Sequence, residues 1–134
     1  MSSKYILAIE TSSSICGAAI IHNKELLSIE EKDVRRKHAE LLPGLTKASL
    51  SNIKITLDDI DAIAISIGPG SFTGLRIGLG FSKGIAYAKN LPIIPVPSML
   101  SLAYSLKEYQ PKQGILHSHA NKVFFQTFRW ENNI

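Results

Sequence analysis

The chain has 134 residues, a net charge of +4, and 45% apolar against 19% charged side chains. That balance excludes a disordered segment, and the length sets one domain of ordinary size with a real core. A single cysteine, Cys16, excludes an internal disulfide and fits a reducing compartment; within its apolar run it reads as a small core residue, not a nucleophile.

Residues 5–9 (YILAI) form a short apolar strand, too brief for a signal-peptide core or a membrane span, so the expectation is a soluble, cytoplasmic protein. A polar turn, TSSS at 11–14, leads to a second strand at 15–21. His22, Asn23 and Lys24 make a tight turn into a third strand at 25–31, which completes an antiparallel meander. The basic residues are scattered apart from the run KDVRRKH at 32–38. Such an excess usually marks a solvated face, with nucleic-acid contact as the lesser alternative.

His38, Leu41, Leu42, Leu45, Ala48 and Ser49 then fall on one side of a helix, with Pro43 and Gly44 predicting a kink or a late start. DAIAISIG (61–68) is an apolar strand of the kind covered on both faces. A long helix follows over about 73–89, then a short strand, PIIPVP, at 92–97. Ser98 is expected to cap a last helix with Met99, Leu102, Ala103, Leu106 and Tyr109 inward. After Pro111 the pattern changes to a hairpin at 114–130 turning near Ala120 and Asn121. The order β-β-β-α-β-α-β-α predicts a mixed sheet with helices packed on it, a ribonuclease-H-like lobe over 1–110, with a second lobe opening at 111–134.

The stretch GPGSFTGLRIGLG (68–80) poses the functional question. A glycine-rich turn before a helix can hold a phosphate, yet there is no Walker motif and no dinucleotide fingerprint. The hydroxyl-rich turn with Thr11, Ser12 and Ser13 is the other candidate phosphate loop, against plain turn chemistry. On a helical wheel Gly74, Ile77, Gly78, Phe81, Gly84, Ile85 and Ala88 share one side. Leu75, Leu79 and Ala86, with Ser82 beside them, make a second patch flanked by Arg76, Lys83 and Tyr87. Two apolar faces imply that one meets the sheet and the other meets either a partner or the preceding helix.

ILAIETSSSICGAAI, RRKHAELLP and IDAIAISIGPGSFTGLRIGLGFSKGIAYA together resemble the TsaB, or YeaZ, family. The resemblance implies the fold of the actin, Hsp70 and sugar-kinase superfamily, built from two ribonuclease-H-like lobes. It implies a non-catalytic activator in the making of threonylcarbamoyladenosine in tRNA. The implied partners are the catalytic paralogue TsaD, the ATPase TsaE and, through the complex, tRNA, with a homodimer when alone and no membrane or cofactor. The implied interface comprises His38, Leu41, Leu42, Leu45, Ser71, Phe72, Leu75, Arg76, Leu79, Ser82, Lys83 and Ala86.

The family's catalytic branch carries a His-x-x-x-His metal pair. Here Leu42 stands four residues after His38, so no helical metal pair and no peptidase is expected, and His38 reads as a buried or interfacial hydrogen bonder. The family's strand-one aspartate is Glu10 here. Where the family has Asp-Ala-Arg, this chain has His117-Ser118-His119, whose two rings would share a strand face and could chelate a metal. The alternative reading is a small nucleotide-binding phosphotransferase of the same superfamily.

Overall fold

The computed structural model describes residues 3–131. A five-stranded sheet is built from β1 (Tyr5–Glu10), β2 (Ile15–His22), β3 (Glu25–Asp33), β4 (Ala62–Ser66) and β5 (Ile93–Val96), in the spatial order β3-β2-β1-β4-β5. The first three strands pair antiparallel and β1, β4 and β5 pair parallel, which is the mixed sheet of a ribonuclease-H-like lobe. Asn23 and Lys24, both at positive φ, close the β2–β3 hairpin with a two-residue turn whose twist suits the strands.

Alternation along the strands sets the core. Leu7 and Ile9 of β1 stand beside Ile20 and Ala18 of β2 and beside Ile63 and Ile65 of β4, and all six are buried. Helices α1 (His38–Ser51) and α2 (Phe72–Lys89) cover this face. Pro43 lies inside α1, which runs on from His38 without a late start. Cys16 packs in the same core, and burial pushes its thiol pKa upward, so it stays a neutral apolar side chain. Among the described residues no helix is long and apolar enough to cross a membrane.

Helix α3 (Ser98–Ser105) departs from the expectation. Only Ser98, Met99 and Ala103 are buried, while Leu102, Leu106 and Tyr109 are exposed. The helix stops after two turns, and little beyond the hairpin packs on it, so Leu102 faces outward and the chain leaves through a 3-10 turn before Leu106 and Tyr109 can turn inward. Ser98 does not cap α3; its hydroxyl instead accepts the Gly68 N–H at 3.1 Å, pinning the β4–α2 loop.

Strands β6 (Gln113–His117) and β7 (Val123–Thr127) form a separate two-stranded sheet. Gly114 faces Met99 of α3, which sets the hairpin against the body, and Trp130 donates to the Pro111 carbonyl at 2.8 Å, which closes the base of the hairpin itself. The other side is bare: Ile115 is 68% exposed and its cross-strand partner Phe125 is 57% exposed. An exposed apolar ladder with two free edges promotes self-pairing. Phe125→Lys is therefore expected to lower light scattering of concentrated protein while the main thermal transition moves by less than about 2 °C.

Candidate functional site

The glycine-rich stretch meets the β1–β2 turn at close quarters. Gly68 sits at φ +101, a conformation that only glycine adopts without strain. A methyl group at Gly70 would overlap the Ser12 carbonyl oxygen, one at Gly74 the Thr11 carbonyl oxygen, and one at Gly78 the Thr11 hydroxyl. Ser71 caps α2 by accepting the Gly74 N–H at 3.2 Å, and its own N–H donates to the Ser12 carbonyl at 2.7 Å. These glycines let helix and turn touch backbone to backbone. They are packing residues.

At the candidate phosphate loop the same geometry buries Thr11. That residue is fully buried under Gly78, with its hydroxyl facing the helix. The Ser12 N–H donates to Glu10 Oε1 at 2.6 Å, and the Ser66 hydroxyl donates to the other Glu10 oxygen. The Ile15 N–H donates to Ser13 Oγ at 3.2 Å. The Glu10 carboxylate thus stands beside these hydroxyls, and an anionic phosphate there would face like charge. Glu10→Ala is expected to cost about 2 kcal/mol in a urea melt, because it strips the acceptor from two donors around the turn.

His38 is buried at the start of α1 and hydrogen-bonds through Nε2 to the Ser13 carbonyl at 2.8 Å, as a buried hydrogen bonder should. His117 Nε2 donates to the Ala120 carbonyl at 3.0 Å, and His119 pairs with the Ser118 hydroxyl at 2.9 Å. The strand ends at His117, so His119 lies in the turn and the two rings do not share a strand face. Among the described residues no three His, Cys, Asp or Glu side chains gather as a metal site would need.

Burial re-sorts the expected interface. Leu42, Leu45, Ser82 and Ala86 are buried inside the chain itself, as is His38, and they cannot meet a partner directly. Ser82 and Ala86 continue the Gly74 and Gly78 row at four-residue spacing, which puts them under the sheet. Leu41 and Leu75 are half-buried, Leu75 against Gly68. Ser71, Phe72, Arg76, Leu79 and Lys83 do lie on the outside. Gly84 and Ala88, expected on the core side, are also outside.

The exposed face of α2 is unusual for a surface helix. Phe72 is 73%, Leu79 36% and Tyr87 91% exposed, and the Arg76 guanidinium lies 5.4 Å from the Phe72 ring centroid. Between them a methyl group at Gly80 or Gly84 would meet nothing within 4 Å, and the same holds for Gly44 on α1. Folding of this chain therefore does not require glycine at these three positions, although each costs about 0.5–1 kcal/mol relative to alanine in a helix. On a 3.6-residue wheel Gly84 lies about 120° from Gly78, at the edge of the side expected to face the core; only the contact with the β1–β2 turn shows where that side ends.

Comparison with known proteins follows the same lines. The family model described as "TsaD: tRNA N6-adenosine threonylcarbamoyltransferase" matches residues 16–121. The tRNA threonylcarbamoyladenosine biosynthesis protein TsaB of Haemophilus influenzae is 32% identical over 123 residues, which is 90% of this chain and 52% of that protein. The protein of the same name from Buchnera aphidicola subsp. Schizaphis graminum is 36% identical over 119 residues, 88% of this chain and 56% of that one. The solved structure of YeaZ from Pseudomonas aeruginosa superposes with a TM-score of 0.85 at 26% identity, over 96% of this chain and 62% of that chain. The chain spans about half the length of the curated relatives it matches.

Proposed function

The chain belongs to the TsaB (YeaZ) family, and from that premise we propose that it serves tRNA threonylcarbamoyladenosine biosynthesis as a non-catalytic subunit that docks the catalytic paralogue TsaD. The exposed face of α2 carries this reading. Phe72, Leu79 and Tyr87 supply apolar area, and Gly80 and Gly84 leave a flat lane in which a second helix can approach closely. Gly44 leaves a similar opening on α1. The interface residues in this reading are Ser71, Phe72, Arg76, Leu79 and Lys83, with Leu41 and Leu75 at the margin and Tyr87 added.

TsaE joins the pair in this scheme, and a homodimer through the same face is the form taken without a partner. Residues 1–110 act as the docking lobe and 111–134 belong to a second one. The phosphotransferase reading is disfavoured by Glu10 at the base of the turn and by the burial of Thr11. The test is co-purification with the TsaD of the same organism on a sizing column with light scattering. A mass equal to one chain of each supports the docking role. Separate elution of the two at micromolar concentration refutes it, and ATP hydrolysis by the pure chain would favour the phosphotransferase.

A further inference from the structure

A basic rim stands at the mouth of the cleft and is not used by the docking face. Lys32, Arg35, Arg36 and Lys37 are exposed within six residues that contain one acid, Asp33. The ion pairs among the described residues are Lys4 with Asp61 and Lys89 with Asp58, so none of these four cations is neutralised by a carboxylate there. Arg35 and Arg36 line a cleft of about 1330 Å³ together with Ser12, Ser13, Ser14 and the hairpin residues His117 and Ser118.

We infer that Arg35 and Arg36 hold backbone phosphates of an RNA strand laid across the mouth of this cleft. Unpaired guanidiniums beside donor hydroxyls suit phosphate oxygens, which accept from both. Glu10 also lines this cleft and presents a carboxylate there, already engaged by the Ser12 N–H and the Ser66 hydroxyl. A nucleotide pushing its phosphates inward meets that charge, whereas a polymer crossing the rim does not. The inference deepens the proposed function and rests on it for the identity of the RNA, which that reading makes a tRNA.

The experiment is a fluorescence-anisotropy titration of the full chain, without TsaD, against a labelled unmodified tRNA transcript, with labelled ATP as a separate arm. The variant Arg35→Gln/Arg36→Asn removes two rim charges; asparagine suits the positive φ at residue 36. The control Lys24→Asn/Lys54→Asn removes two charges at the opposite end of the sheet, both also from positive-φ positions. The rim variant is expected to bind tRNA about tenfold more weakly and to lower the slope of log K against log salt by about 1.5. The control is expected to change affinity less than about twofold, and circular dichroism should show all three proteins folded alike.

Equal losses in both variants would reduce the effect to net charge and overturn the inference. Arginine-dependent binding of ATP with none of tRNA would overturn it in favour of a free nucleotide. Pairing with TsaD is read separately and is expected to survive in the rim variant. If tRNA binding fails while pairing holds, this inference alone falls; if pairing fails while rim-dependent tRNA binding holds, the docking role alone falls.

Discussion

Gly74→Ala is expected to destabilise the chain by about 3 kcal/mol, while Gly80→Ala, six residues further along the same helix, is expected to stabilise it by about 0.5–1 kcal/mol. The added atom is the same methyl group in both. At Gly74 it overlaps the Thr11 carbonyl oxygen, a backbone atom of the β1–β2 turn directly after β1 ends at Glu10. Relief requires the helix or the turn to retreat, which breaks the bond from the Ser71 N–H to the Ser12 carbonyl and loosens the core around Ile9 and Ile65. At Gly80 the methyl enters open space, and only the lower backbone entropy of alanine counts. Urea melts of the two variants check this, with midpoints moving in opposite directions at unchanged slope. Shifts of opposite sign cannot come from helix propensity, which favours alanine at both sites.

This contrast also marks how far the sequence could be read. Alternation of Leu7 and Ile9, the apolar run at Ala62–Ser66 and the Asn23-Lys24 turn follow local rules of period and backbone sterics, so strands and their order were legible. The cluster of glycines before and within α2 was legible as packing chemistry, but its division between inside and outside was not. That division depends on the β1–β2 turn lying against 70, 74 and 78, a contact between segments some sixty residues apart. Ser82 and Ala86 went astray for the same reason: a helical wheel has no origin until a neighbour supplies one. Leu102 and Leu106 were expected inward because apolar periodicity reports the wish to be buried, not the presence of a cover. For Thr11, Ser12 and Ser13 the sequence left a phosphate cradle and plain turn chemistry side by side; the bond from the Ser12 N–H to Glu10 is a contact that only the fold shows.

Leu79→Glu/Tyr87→Glu is expected to weaken pairing with TsaD by about 100-fold or more while leaving the melt of the isolated chain within about 1 kcal/mol. Both side chains reach solvent, so a carboxylate costs little until a partner tries to bury it; then it must be desolvated unpaired. Leu75 is the poorer probe, because it packs on Gly68 and its loss would disturb the fold as well. Gly80→Leu sharpens the test. In the free chain it replaces a poor helix former by a good one, yet it fills the lane a docking helix needs. A variant that folds more stably and pairs less well cannot be dismissed as misfolded. Ser82→Ala, on the buried side of α2, serves as the matched control and is expected to leave pairing unchanged. Sizing with light scattering on the four proteins, each with and without TsaD, reads all of this at once. If the chain self-associates through α2, its dimer mass is expected to vanish as TsaD is added, because one face cannot serve two partners. A dimer that persists inside the larger complex would place self-association on the bare β6–β7 ladder instead, where Phe125→Lys would then dissolve it.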